Sequence, residues 1–141
     1  MGIGYRFDTR LRCAFIVWDG DVGPEQWRIH VDAIVDDPAF PPGPLMLADL
    51  STAGGVPRIT PDIIEEMAER WRAHAEDLDK MRWAIVPNGA WDKARRFESE
   101  LEGSGLRTMV FNEPWTACSW LGLDADVVRP ILKDIREQLR A

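Results

Sequence analysis

The chain has 141 residues, the usual length of one domain with its own core, and we expect a single domain over residues 1–141. Hydrophobic residues make up 45% of it and include seven tryptophans, which excludes intrinsic disorder because so much apolar surface must be packed. The formal net charge of −7 opposes attraction to nucleic acid and to anionic membrane surfaces, so we expect neither as a partner.

Two strands are predicted at the start of the chain. Residues 5–13 alternate between apolar and polar side chains, which is typical of a half-buried strand or one arm of a hairpin. Residues 14–18 form a continuous apolar run that favours a strand buried on both faces. No Gly or Asn marks the turn between them, so the sequence leaves their boundary open.

The rest of the chain alternates between amphipathic helices and apolar strands. Pro24 and Pro61 suit the first turns of the two helices that they open, and Thr60 is a good N-cap for the second. A stiff, proline-rich connection over residues 38–44 is too short to separate domains. The predicted helices cover residues 24–37, 61–78, 90–102, 113–121 and 124–139, and the predicted strands cover residues 45–50, 81–86 and 106–111.

These elements predict the fold class. Repeated strand-helix-strand units require parallel pairing with right-handed crossovers. We therefore expect an α/β fold with a mostly parallel sheet of four or five strands, an antiparallel pair at its N-terminal end and flanking helices.

The loop after the central strand has the most distinctive composition. Residues 51–59 contain Gly54, Gly55 and Pro57, which oppose regular structure and favour backbone conformations that other residues resist. Parallel strands bring their carboxyl ends to one edge of the sheet, where ligands usually bind. Each polar residue at that edge is also explained by capping or turn formation, and this alternative stays open. The candidate binding residues are Asp49, Ser51, Thr52, Gly54, Gly55, Thr60 and Asn88.

The sequence contains no recognisable catalytic constellation. His30 and His74 lie within predicted helices, without a nucleophile or metal ligand nearby in sequence, and we expect them at the surface or the flanks. The acidic residues Asp19, Asp21 and Asp49 match no named cation-binding loop, and Cys13 and Cys118 have no metal-ligand spacing. We expect no enzyme activity, no metal and no cofactor. The absence of a run of about 18 apolar residues opposes stable membrane insertion, and we expect a cytoplasmic protein.

Three parts of the chain resemble a known group of proteins. VWDGDVGPEQW joins a strand to the first helix through a glycine turn, LMLADLSTAGG ends the central strand in Asp-Leu-Ser, and MRWAIVPNG is followed by TMVFNEPWTACSWL. In this order they resemble the SpoIIAA-like group of the STAS superfamily, small stand-alone bacterial proteins whose fold is related to the lipid-binding Sec14 (CRAL-TRIO) domain. The resemblance spans nearly the whole chain and implies a SpoIIAA-like βα superhelix.

The resemblance also carries functional expectations. Signalling members of the superfamily have a phosphorylatable Ser in an Asp-Ser-Ser-Gly segment after the central strand, where this chain has Ile59-Thr60-Pro61-Asp62. Thr60 is the nearest hydroxyl, and capping explains it, which disfavours a phosphoswitch antagonist of an anti-sigma factor. The kinship to Sec14 implies a carrier of an apolar or lipid-like small molecule.

We therefore expect a non-enzymatic binding or regulatory module that engages a protein partner or a small ligand through the loop at residues 51–59. The carrier of an apolar molecule is the alternative, and the phosphoswitch is the less favoured one. The exposed first strand and the amphipathic last helix also allow a homodimer.

Overall fold

Five strands and six helices make up the part of the chain that the structure, a computed structural model, describes: residues 2–40 and 43–141. Within the predicted connection, Pro41 and Pro42 lie outside the described residues. The strands are β1 (Gly2–Asp8), β2 (Cys13–Gly20), β3 (Leu45–Ala53), β4 (Arg82–Val86) and β5 (Arg107–Val110). The helices are α1 (Pro24–Val35), α2 (Pro61–Arg72), α3 (Ala75–Leu78), α4 (Trp91–Glu100), α5 (Pro114–Leu121) and α6 (Ala125–Arg140).

The strands form one sheet in chain order, β1-β2-β3-β4-β5. β1 pairs with β2 in the antiparallel sense, and each later pair is parallel. Helices α1, α2 and α4 pack on one face of the sheet, while α5 and α6 cover the other. Because neighbouring parallel strands are joined by helices on the same face, the chain winds as a βα superhelix, and the predicted α/β fold class is confirmed.

Two apolar cores lie on the two faces of the sheet. Alternate residues of β2 serve both, since Ile16 and Trp18 face α1 and α2 whereas Phe15 and Val17 face α6. All four are less than 9% exposed, as expected for a strand covered on both sides. In the described residues, no helix combines the length and the apolarity needed to cross a membrane.

The first strand ends earlier than predicted. Asp8 closes β1 and pairs with Cys13, the first residue of β2, so residues 9–12 form a turn instead of continuing the strand. The Asp8 carboxylate accepts a hydrogen bond from the Leu11 backbone N–H at 2.9 Å, and Arg12 has a φ of 54°. The boundary that the sequence leaves open therefore lies within residues 5–13, and the left-handed position of its turn is occupied by Arg instead of Gly or Asn.

Other boundaries also differ from the predicted ones. β3 continues to Ala53, so Ser51 and Thr52 belong to a strand and not to the loop. The long helix predicted over residues 61–78 is interrupted at His74, whose backbone is not helical, and the short α3 follows. This break directs Leu78 into the core, where it is 1% exposed.

Candidate functional site

The carboxyl ends of the parallel strands meet at one edge of the sheet, as predicted. Asp49 of β3 lies in register with Val86 of β4, two residues before Asn88. The side-chain amide of Asn88 donates a hydrogen bond to the Ala53 carbonyl oxygen at 2.9 Å. Asp49, Ala53 and Asn88 thus belong to one edge, which we call the carboxyl rim.

A β-bulge in β3 places part of the candidate site on the face that α6 covers. β3 has one residue more than β2 between the paired positions Asp49 and Thr52, so both side chains reach the same helix. Arg136 of α6 donates from Nη2 to Asp49 Oδ2 at 2.8 Å and from Nε to Thr52 Oγ1 at 2.9 Å. The other Asp49 oxygen accepts from the Ser51 backbone N–H at 2.9 Å. Asp49 and Thr52 therefore attach α6 to the sheet, and the Ser51 N–H binds the Asp49 carboxylate that takes part in this contact.

A second arginine of α6 neutralises the other buried carboxylate of the rim. Arg140 donates from Nε and Nη2 to the two oxygens of Asp19 at 2.8 and 2.9 Å, and Asp19 is only 2% exposed. These hydrogen bonds, with a further one from Thr52, lower the pKa of Asp19 to about 2. Among the described residues, no group of three or more His, Cys, Asp and Glu side chains is arranged to hold a metal ion.

Residues 54–60, which we call the cover loop, cross the rim on the opposite face of the sheet. Gly54 donates its backbone N–H to the Gly20 carbonyl oxygen at 2.7 Å, which joins the loop to the end of β2. Val56 and Ile59 are 4% and 3% exposed and point their side chains into the core. Lys93 of α4 donates from Nζ to the Val56 carbonyl oxygen at 2.6 Å. The loop is thus packed against the protein along its inner side.

The strained backbone of the cover loop is not at its glycines. Gly54 and Gly55 both lie outside the left-handed region, and a Cβ atom on Gly55 would meet nothing within 4 Å. Val56 instead has a φ of 45°, a conformation that costs a β-branched residue about 1 kcal/mol or more. The glycine pair thus does not use the backbone conformations that it permits, and the positive φ lies one residue later, at the buried Val56.

Thr60 performs the capping role that the sequence left open, whereas Asn88 makes a contact between distant parts of the chain. Thr60 is the N-cap of α2, and its hydroxyl oxygen accepts from the Ile63 backbone N–H at 3.4 Å. Asn88 binds the end of β3 through Ala53. Both side chains belong to exposed residues of the rim.

An apolar cavity of about 60 Å³ lies beneath the cover loop, between the sheet and helices α1, α2 and α4. Five aromatic rings line it in an unbroken chain of tilted or edge-to-face contacts, with centroids 4.8 to 5.6 Å apart. Half-buried residues, Leu50, Ala90 and Lys93, place the mouth of the cavity at the carboxyl rim. In order of contact, the rings belong to Trp18, Trp27, Phe97, Trp83 and Trp71.

Two polar groups in the cavity wall lack hydrogen-bond partners. The indole N–H groups of Trp71 and Trp83 are buried, and neither meets an acceptor within residues 2–40 and 43–141. The two residues are 1% and 5% exposed. Each buried donor without an acceptor costs about 1–3 kcal/mol, so these two N–H groups are unfavourable features of the cavity wall.

His30 of α1 also lines the cavity, which contradicts the prediction of a surface position. It is 7% exposed, and burial lowers its pKa to about 4, so the imidazole is neutral near pH 7. The Tyr5 ring packs edge-on against it with centroids 5.7 Å apart, and the Tyr5 hydroxyl donates to Asp37 Oδ2 at 2.9 Å. The prediction fails because the helical pattern does not show that β1 covers this side of α1.

A broader groove of about 410 Å³ lies on the other face, between α5, α6 and the end of β3. It contains the 56% exposed side chain of Trp115. Its charged side chains are paired, since Arg129 lies 3.3 Å from Asp126, and Lys133 lies 3.8 Å from Glu137. This groove therefore contrasts with the cavity, whose wall contains polar hydrogens without partners.

Comparison with protein-family models, with curated proteins and with solved structures gives no match to this chain. Its resemblance to the SpoIIAA-like group therefore stays a prediction.

The residues that form the cavity wall differ from most of those that the sequence singled out. Trp27 and Trp71 pack in the core from helices α1 and α2, and Trp18 and Trp83 on strands complete the aromatic wall. The sequence does not single out Lys93 as a residue of the site, because lysine is common on the exposed face of a helix. The recurrence of tryptophan on strands β2 and β4 and on helices α1 and α2 is the one pattern that points to this wall.

Proposed function

We propose that this protein is a non-enzymatic module that binds a small apolar ligand in the cavity beneath the cover loop. The observation that carries the proposal is the chemistry of the wall: five linked aromatic rings and aliphatic side chains surround a space that opens at the carboxyl rim. Apolar concave sites with a few polar groups are the usual form of small-molecule sites. The ligand gains affinity chiefly by removing its apolar surface from water.

The size of the closed cavity requires the cover loop to move when a ligand binds. A space of about 60 Å³ is smaller than the cavity of about 150 Å³ that admits benzene in an engineered protein. Val56 and Ile59 form the part of the wall that belongs to the loop. Outward movement of these two side chains enlarges the space and releases the strained backbone of Val56.

Several further expectations are part of this proposal. The resemblance of the sequence to the SpoIIAA-like group, whose fold is related to Sec14, remains part of the proposal, and it favours a carrier of an apolar or lipid-like molecule. A location in the cytoplasm and the absence of catalysis are expectations from the sequence that this proposal retains. Native mass spectrometry of gently purified protein tests the carrier role, since a carrier brings its ligand with it as a mass adduct.

The proposed binding is tested with indane, a bicyclic hydrocarbon, by isothermal titration calorimetry. We expect one molecule of indane per chain. Ala94 lies in the cavity wall on α4, so Ala94→Leu puts a larger side chain into the space and weakens indane binding at least about tenfold, or 1.4 kcal/mol. Ala33→Leu on the exposed side of α1 is the matched control and leaves binding unchanged.

A folded wild-type protein that does not bind indane contradicts the proposal. Equal binding by wild type and by Ala94→Leu contradicts the location of the site. Urea unfolding of each variant shows whether it is folded before it is titrated, and Ala48→Val, a smaller change in the same wall, serves if Ala94→Leu is too unstable.

A second candidate function uses the outer side of the same loop. Gly54, Gly55, Pro57 and Arg58 are exposed there, and loops on a rigid scaffold commonly carry contacts to other molecules. This candidate is a protein-binding surface, as the sequence predicts for residues 51–59. Deletion of Gly54 and Gly55 should abolish capture of a purified partner while the fold is kept, and unchanged capture would contradict it.

A further inference from the structure

The indole N–H groups of Trp71 and Trp83 point to the chemistry of the ligand. Their rings are in contact, with centroids 4.8 Å apart, and both belong to the cavity wall. Neither donor has an acceptor in the described part of the chain. Buried indole N–H groups normally have a partner, so two neighbouring exceptions in one cavity call for an acceptor that residues 2–40 and 43–141 do not supply.

Water is a poor acceptor for these groups in this cavity. A water molecule that accepts from an indole N–H keeps two hydrogens of its own, and it needs two to four polar partners to be stable. The surrounding wall is almost entirely aromatic and aliphatic. A carbonyl oxygen accepts through two lone pairs and donates nothing, so it meets the need of the indoles without creating a new unpaired donor.

The wall also favours a neutral ligand over a charged one. A carboxylate buried among apolar side chains requires a cationic partner. Lys93, the lysine of the wall, lies half-buried at the mouth of the cavity, where its Nζ donates to the Val56 carbonyl oxygen, whereas Trp71 and Trp83 are 1% and 5% exposed. His30, the other basic side chain there, is buried at 7% exposure.

We infer that the ligand is a neutral apolar molecule with a carbonyl oxygen, which accepts hydrogen bonds from the indole N–H groups of Trp71 and Trp83. The apolar body of the ligand occupies the space bounded by the aromatic rings, and the carbonyl oxygen lies where the rings of Trp71 and Trp83 meet. The inference rests on the proposed function, and it adds the chemical class of the ligand.

The inference is tested with the matched pair indane and 1-indanone, which differ by one carbonyl group. A cavity without donors binds the ketone more weakly, because the carbonyl loses its hydrogen bonds to water. We expect wild-type protein to bind 1-indanone at least as tightly as indane. In the variant with Trp71→Phe and Trp83→Phe, the affinity for the ketone relative to that for indane should fall about tenfold.

The Phe variants also reduce the size of the wall, so a second pair of variants keeps its shape. Replacement of each tryptophan by 3-benzothienylalanine removes the N–H and retains the bicyclic ring. These variants should lose the ketone preference in the same way. Trp115→Phe, at an exposed position outside the cavity, is the matched control and keeps the wild-type preference.

A spectroscopic measurement locates the hydrogen bonds directly. In spectra of protein labelled with 15N at tryptophan, the Nε1–H signals of Trp71 and Trp83 should move downfield with 1-indanone and not with indane. If both ligands bind, but the ketone binds more weakly than indane and the two ligands shift these signals equally, the inference is wrong and the proposed function stands. If neither ligand binds, the proposed function fails and the inference fails with it.

Discussion

Lys93 holds the backbone of Val56 at the mouth of the cavity, with its Nζ 2.6 Å from the Val56 carbonyl oxygen. Lys93 belongs to α4, and Val56 is the strained residue of the cover loop. This hydrogen bond connects a buried part of the loop to a helix that forms one wall of the cavity. Opening the cavity therefore requires the bond to break or the loop to move together with α4.

Removing this bond should loosen the cover loop. Lys93→Met keeps the length of the side chain but removes the donor, at a cost of about 1 kcal/mol. We expect indane to dissociate about fivefold faster and the Ile59 backbone N–H, which donates to the Val56 carbonyl, to exchange faster with deuterium. Lys133→Met, on the exposed surface of α6, is the control. Equal exchange in wild type and Lys93→Met would contradict the role of Lys93.

The buried imidazole of His30 should make stability depend on pH. Its pKa of about 4 in the folded protein lies below the value of about 6.5 for the unfolded chain. The unfolded chain binds more protons between these values, so stability is complete above about pH 6.5 and decreases as the pH falls toward 4, by up to roughly 3 kcal/mol. His30→Leu should flatten urea-derived stability in that window.

The chain has two histidines, and the second provides the control for this experiment. His74→Leu removes the other imidazole and should leave the slope that His30 causes in place. A slope that persists in His30→Leu would show that another group is responsible.

Asp19 should make the stability of the protein depend on pH in a lower range than His30 does. Its pKa of about 2, which the hydrogen bonds from Arg140 lower most, is below the unfolded value of about 3.9. The stabilisation is therefore present above about pH 4 and is lost as the pH falls through about 2, a change of about 2 kcal/mol. Asp19→Asn should remove this dependence, measured by urea unfolding at pH 4, 3 and 2. If Asp19→Asn leaves the dependence of stability on pH unchanged, the hydrogen bonds between Asp19 and Arg140 are contradicted.

The attachment of α6 depends on an ion pair that is mostly buried. Arg136→Met leaves the carboxylate of Asp49 buried, with only the Ser51 N–H as donor, and should cost about 3 kcal/mol. Lys133→Met removes an exposed pair one turn earlier on the same helix and should cost less than about 0.5 kcal/mol. Urea unfolding of the two variants measures the difference, and equal values would contradict the buried pair.

The sequence predicts the fold well because its signals are local. Pro24, Pro61 and Thr60 mark helix starts by chemistry that acts within one turn, and each begins or caps a helix as predicted. The apolar runs of β2, β3 and β4 likewise identify buried strands. Arg12 and Val56 have positive φ angles, which Gly or Asn usually adopt. The residue types at these two positions therefore do not indicate the backbone conformation.

The candidate site is predicted less completely because its contacts join distant parts of the chain. Asp49 is recognised as a residue of the rim, but its partner Arg136 is 87 residues away and its role depends on the bulge in β3. The cavity combines side chains of three strands, three helices and the cover loop. The sequence does not predict that the indole N–H groups of Trp71 and Trp83 lack acceptors among the described residues, because this depends on which side chains surround each ring.

A crystal structure of the protein with 5-bromoindane tests the central claim most directly, because the anomalous signal of bromine locates the ligand. The bromine should lie in the cavity bounded by Trp71, Trp83 and Phe97, with Val56 and Ile59 of the cover loop displaced outward. Bromine found only on the surface, or only in the groove beside Trp115 on the opposite face, would contradict the proposed site.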